Sequence, residues 1–473
     1  MNRGTALLRN VDVDQGRRTL QTAKSITILF AALLFAGCAH YPVNARLDRH
    51  DPGYGYRFAN LSSADNSDSL LVVVTFSGGG TRAAALAYGV LEQLAKTGIS
   101  WEGRQKRLLD EVDMISSVSG GSYTAAYYAL YRDRIFEDFE SAFLKRNVQA
   151  EITRKILAPF NLIKVTGPTF GRIDLVAEYL DDEFFRGGTY GDLMRTGRRP
   201  FIVINASDMS LGTRFEFTQD QFDLLCSDLS QYPLARAVAA SSALPVVLSP
   251  LTLRNYGGQC GYAEPEWVGA ALENRSASAR RFYKAAEVRS YLDSVARPFV
   301  HLLDGGITDN LGLRGMLDRA ILHEGPLGLA QSLGVKEIRK AVLITVSAET
   351  GPDLSRDRSE SVPTVSQVPT AIKDVSINRY SFETTELLKS SFDEWAKQMR
   401  EHRPAGAENG FNFYLIEVTF DALQDSAERG YFSGIPTSFN LPAETVDRLR
   451  QVAARLISES GDYQRLMRDL SGD

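Results

Sequence analysis

The chain has 473 residues, 44% of them hydrophobic and 23% charged, and a formal net charge of −5. This is ordinary globular composition, long enough for two or three domains or for one enlarged α/β enzyme. With 53 basic residues against 58 acidic ones and no basic block, the charge pattern excludes nucleic acid as a partner.

At the N-terminus, Arg17, Arg18 and Lys24 precede the apolar run "ITILFAALLFAG", which stops at Cys38. That run is shorter than the ~20 residues a membrane-spanning helix needs. A charged lead, a short apolar stretch and small residues before a cut site describe an export signal over residues 1–37. Its ending, "LFAGC", resembles a bacterial lipobox and makes Cys38 the expected lipid-attachment residue. A plain secretory peptide or an uncleaved anchor are the alternatives. Ala39 stands where an aspartate would favour the inner membrane, so the expectation is a lipid-anchored protein on the periplasmic side of the outer membrane. Two further cysteines, Cys226 and Cys260, would meet an oxidising compartment, where an even pair predicts a disulfide rather than two buried thiols.

Residues 38–68 are polar and turn-rich and read as a tether or wrapping arm. "SLLVVVTF" (69–76) is a buried strand, and "SGGGTRAAALAYGVLEQLAKTG" is a helix ending near Gly98. "LLDEVDMISSV" is a second strand, leading through a small-residue turn into another helix. Further strands are expected at 200–209, 299–306, 341–348 and 411–420, with helical patterns between them. The alternation predicts an α/β fold, a three-layer α/β/α arrangement with a mainly parallel central sheet. Residues 69–320 form the expected core, with 253–298 as an insertion beside it. Residues 321–473 form a C-terminal extension with an amphipathic helix at "TTELLKSSFDEWAKQM". It is expected to complete and cover the sheet edge, a lid or a partner surface being the alternative.

Three turns carry chemistry. In "SVSGGSY", Ser119 follows a strand and opens a helix, as the serine of a G-x-S-x-G elbow does. Ser117 replaces the elbow's first glycine, and Gly120 and Gly121 supply the close-packing side; a bland packing turn is the competing reading. In "FSGGGTRA", Gly78, Gly79 and Gly80 expose consecutive backbone N–H groups, which suits an oxyanion hole or a phosphate cradle. The cradle wants an acidic residue closing the next strand, and only Glu102, in a polar turn, stands near that distance. In "HLLDGGITDN", Asp304 ends an apolar strand before two glycines, where it can reach Ser119 or serve structure alone.

In this order the three turns resemble the motifs of the patatin-like phospholipase family: a GGGxRG oxyanion loop, a GxSxG nucleophile and a DG[GA] aspartate. Ser117 and Ala83 are small-for-small departures from that pattern. The resemblance spans roughly 70–320 and extends to "VINASDMSLGTRFEF" and "ARAVAASSALPVVLSP". It implies a Ser–Asp dyad in which Ser119 is the nucleophile and Asp304 the general base. It also implies oxyanion donors at Gly78 to Gly80, with Gly120 beside them and Arg82 fixing the loop.

The histidines fit a dyad. Of the five, His323 and His402 follow Asp304 as a triad histidine would, yet both read as surface residues, and His301 faces away from Asp304. Tyr123, Tyr127 and Tyr128 are core residues or the lining of an acyl channel. Asp309 and Asn310 either support the Asp304 loop or cap the next helix. No metal-ligand motif is present and no cofactor is implied.

The expected activity is acyl-ester hydrolysis, with membrane phospholipid as the leading substrate. Lysophospholipase, esterase or acyltransferase action at the same site is the alternative, as is a non-catalytic lipid-binding scaffold. Oligomeric state is not legible.

Overall fold

The computed structural model describes residues 39–471 apart from 63–65, 246, 323–324, 326–337, 352–353, 355, 359, 363, 365–366 and 402–411. The expected export signal, Cys38, His323 and His402 lie outside the described residues.

Strand β1 (Leu70–Phe76) leads into helix α1 (Gly80–Lys96). A hairpin of β2 (Gly98–Trp101) and β3 (Arg104–Arg107) brings the chain to β4 (Val112–Val118), which runs into α2 (Gly120–Tyr131). After further helices come β5 (Phe201–Asp208), β6 (Arg214–Glu216), α3 (Leu234–Ser241), β7 (Leu251–Arg254), β8 (Phe299–Asp304) and α4 (Arg314–Leu322). The C-terminal third supplies β9 (Lys340–Ser347), the 35-residue α5 (Gln367–Glu401), β10 (Asn412–Thr419) and α6 (Ala443–Glu459).

Among the described residues eight strands form one sheet in the order β10-β9-β1-β4-β5-β8-β7, with β6 also paired to β5. The five strands from β10 to β5 are parallel to one another. Because side chains alternate along a strand, β1 feeds two cores. Leu70, Val72, Val74 and Phe76 join Leu86, Val90 and Leu94 of α1 on one face. Val73 meets Leu313, Leu317 and Leu388 on the other. Helices therefore cover both faces, and α6 packs directly on α1, where a side chain at Gly89 would collide with the Arg450 backbone.

Four strands were not foreseen, and each has a local reason. The β2–β3 hairpin is polar and short. The three-residue β6 carries no periodicity, and β7 straddles the start of the expected insertion. Strand β8 was foreseen but not its direction, since it runs antiparallel to β5. Strand β4 ends opposite Asn205, whereas β5 continues to Asp208, and this overhang pairs with both β6 and β8.

The N-terminal arm lies along the body. Tyr41 N–H donates to the Thr169 carbonyl, Arg46 bridges to Ser227, and Leu47 N–H donates to the Cys226 carbonyl. Cys226 and Cys260 are joined as a disulfide, and Leu47 packs against it. Tyr56 is fully buried, stacked on Phe201 with ring centroids 4.7 Å apart.

Candidate active site

The turn from β4 into α2 puts Ser119 at the helix N-cap with φ 48° and ψ −118°. A left-handed serine costs on the order of 1–3 kcal/mol and persists only where its surroundings hold it. Ser241, at the end of α3, does this. Its Oγ accepts the Ser119 N–H at 2.8 Å, donates to the Asn205 carbonyl at 2.6 Å and lies 3.1 Å from Ser122 Oγ. A hydroxyl has one hydrogen and two acceptor lone pairs, so Ser122 must be the donor of that last bond. Sequence reading did not single out Ser241; the serine pair in the small-residue helix "ARAVAASSALP" was the available signal.

The two glycines after Ser119 permit a close approach. A Cβ on Gly120 would lie 2.1 Å from the Gly80 carbonyl oxygen, and one on Gly121 would lie 2.6 Å from Phe76 Cβ. Ser117, where a glycine was displaced, is fully buried in β4 with its Oγ donating to the Val203 carbonyl.

Asp304 arrives from the opposite direction at the end of antiparallel β8. Ser119 Oγ donates to Asp304 Oδ2 at 3.0 Å, and Gly306 N–H donates to Asp304 Oδ1 at 2.8 Å. Its backbone is also pinned. Its N–H donates to the Ala243 carbonyl at 3.0 Å, and its carbonyl accepts from Ser207 Oγ at 2.7 Å. Segment 241–243 thus holds serine and aspartate together. Among the described residues no histidine contacts either one: His301 is exposed and bonds Thr252, and His50 pairs with Asp223.

The glycine loop sits over this pair. A Cβ on Gly78 would lie 3.3 Å from Ser119 Cβ. Gly78 N–H donates to the Asn310 carbonyl at 3.0 Å, so the expected row of three free donors narrows to Gly79 and Gly80. Gly80 has φ 61°, and a side chain there would strike the Ser438 carbonyl at 2.5 Å. Arg82 is buried and donates to the carbonyls of Ala348 (2.7 Å) and Ile435 and to Thr437 Oγ1 (3.2 Å). Burial pulls its pKa down to about 10, against the charges of Glu349 and Asp374. Beside it, burial pushes the Glu349 carboxyl above its ordinary range, while a hydrogen bond from Asn310 and the charge of Arg82 oppose the rise.

Asp309 and Asn310 divide the roles left open for them. Asp309 accepts from the N–H groups of Leu313 (3.1 Å) and Arg314 (2.8 Å) and so caps α4. Asn310 supports the glycine loop through Gly78. Tyr123, Tyr127 and Tyr128 belong to the core; Tyr123 stacks on Phe143 at 4.7 Å and Tyr127 donates to Asp138 at 2.6 Å. The cavity at Ser119 measures about 60 Å³ and is roofed by Asp374, Ile377 and Asn378 of α5. Among the described residues no group of His, Cys, Asp and Glu side chains is arranged to hold a metal ion.

A serine on a strained strand-to-helix turn, an aspartate on its hydroxyl and a tri-glycine loop above both form one unit within 78–310. A family model described as patatin-like phospholipase matches residues 74–317, just over half of the chain and the whole of this unit. The chain belongs to the patatin-like phospholipase family. The matched patatin-like segment ends before β9, so α5, α6 and the Arg82 partners beyond residue 347 lie outside it. No curated protein matches the chain.

Among solved structures, human GIVD cytosolic phospholipase A2 is similar at 13% identity and a TM-score of 0.40, over 85% of this chain and 62% of that one. The same human protein in complex with methyl gamma-linolenyl fluorophosphonate gives 11% identity and a TM-score of 0.37, over 86% and 60%. The chain thus spans less than two thirds of the length of these structures.

Proposed function

We propose that this patatin-like protein is a serine hydrolase of lipid acyl esters working through a Ser119–Asp304 dyad. The observation that carries the reading is the 3.0 Å hydrogen bond from Ser119 Oγ to a carboxylate held by the Gly306 N–H, on a residue whose backbone carbonyl is held by Ser207 Oγ. Asp304 would take the hydroxyl proton as Oγ attacks the ester carbonyl, and the N–H groups of Gly79 and Gly80 would receive the oxyanion. Collapse expels the alcohol, protonated by Asp304, and leaves an acyl-serine. Asp304 then deprotonates a water that releases the fatty acid and restores Ser119. The positive end of α2 favours the negative charge formed at its N-terminus.

Labelling with a fluorophosphonate tests this. The protein is expected to be labelled at Ser119, and both Ser119→Ala and Asp304→Asn to lose labelling and phospholipid hydrolysis by at least about a hundredfold, the order seen when a nucleophile or its base is removed. Full labelling of folded Asp304→Asn would refute the dyad.

A further inference from the structure

The amphipathicity of α5 reverses half-way along the helix. On its outer side, positions 368, 372, 375, 379 and 382 follow helical spacing and form one stripe. Val368, Ile372, Val375 and Phe382 of that stripe are 44%, 62%, 67% and 52% exposed. The stripe continues through residues 386, 389, 393 and 397 as exposed Glu386, Lys389, Asp393 and Lys397. The inner side runs the other way. In the first half it presents Asp374, Asn378 and the buried Ser381 and Thr384 to the protein, with Ile377 the one apolar side chain among them. In the second half it presents Leu388, Phe392 and Trp395 to the sheet, with Phe392 edge-on to Phe413 at 4.0 Å.

The second half is an ordinary crossover helix between parallel β9 and β10. Thirty-five helical residues span ~52 Å at ~1.5 Å each, whereas eight strand residues span ~26 Å. The surplus projects past the carboxyl edge of the sheet, over Ser119. A surface helix normally buries its apolar side and turns its polar side to water; this overhang does the opposite, which suits a helix whose outer neighbour is hydrocarbon. The cavity beneath, at about 60 Å³, is far below the ~300–1,000 Å³ of ligand pockets, so an acyl ester needs more room than this arrangement of α5 leaves.

We propose that the outer face of residues 368–382 is the surface by which the protein docks on lipid, its apolar stripe entering the acyl-chain region, and that docking draws the overhang off Ser119. This rests on the lipid-ester reading of the same site. The same helical turns line the cavity on their inner side through Asp374, Ile377 and Asn378, so a lipid surface met by the stripe lies one helix away from Ser119. Arg379, which pairs with Glu383 and lies 5.1 Å over the Phe382 ring, would sit at the headgroup level.

The test uses the full chain with Ser119→Ala, so that vesicles stay intact, and adds Ile372→Trp or Phe382→Trp. On phosphatidylcholine vesicles with brominated acyl chains, the added tryptophan is expected to be quenched at least about twofold beyond the three native ones. Quenching no greater than in Ser119→Ala alone overturns the proposal. In the active protein, Ile372→Asp with Phe382→Asp is expected to slow hydrolysis of vesicle phospholipid by about tenfold or more, while hydrolysis of a soluble short-chain ester stays within about twofold. Equal loss on both substrates overturns it, as does a dimer that these aspartates split into monomers, which would make a second copy the occupant. The quenching needs no turnover, so a protein that hydrolyses nothing would refute the hydrolase reading and leave the docking surface to be judged by its own measurement.

Discussion

Ser241 shows how much of this site depends on one small side chain. Its hydroxyl uses its hydrogen on Asn205 and both lone pairs on Ser119 and Ser122. Ser241→Ala would leave the buried Ser119 N–H without an acceptor, which costs about 1–3 kcal/mol. Fluorophosphonate labelling of Ser119 is expected to slow by about tenfold or more in the alanine variant, with threonine restoring most of the rate. An alanine variant labelled at the wild-type rate would show that the helix and glycine packing alone hold the turn. Ser119, Gly78 to Gly80 and Asp304 were legible because each sits in a motif with a local cause. Ser241 was not, because its partner lies 122 residues away, and nothing around it marks a serine that bonds a distant backbone.

At the scale of single elements, α4 carries a pH signature through its cap. Burial pushes the Asp309 carboxyl from its ordinary 3.8 up to about 6, against the charge of Arg214 and the N–H groups of Arg314 and Leu313. Between these values the folded chain keeps a proton that the unfolded chain has released. The unfolded state then binds fewer protons, and stability contributed here falls as pH rises through the window. Asp309→Asn removes that term, so Tm measured between pH 4 and 6 should decline more steeply in the wild type than in the variant. The variant should also lose about 1 kcal/mol from the weakened cap. Parallel slopes would mean that Asp309 is ionised throughout. Strand β8 teaches a related lesson. Its apolar run and terminal aspartate were plain in the sequence, but its direction follows from the overhang of β5, which no pattern within residues 299–306 encodes.

Over the whole molecule, the disulfide underlies the N-terminal arm, whose Leu47 and His50 N–H groups donate to the Cys226 and Cys260 carbonyls. Cys226 and Cys260 are separated by 34 residues, and closing a loop of that length stabilises by roughly 3–4 kcal/mol in the chain-entropy account. Leu47 rests on the bridge. Replacing both cysteines by serine is therefore expected to lower the unfolding free energy by about 3 kcal/mol and to open residues 39–62 to protease before the rest of the chain. Simultaneous cleavage everywhere would show that the arm does not depend on the bridge.

By itself the sequence determined the parallel strands and the glycine, serine and aspartate turns, because burial on both faces and tight turns demand particular residues at adjacent positions. Tertiary structure alone decided that β8 runs backwards, that segment 241–243 braces Ser119 and Asp304, and that α5 overhangs its strands above them. Each of these depends on where distant segments meet. The inverted stripe on α5 belongs to both levels: its residues were always readable, but apolar-out and polar-in acquired a meaning only once the fold defined which side was out.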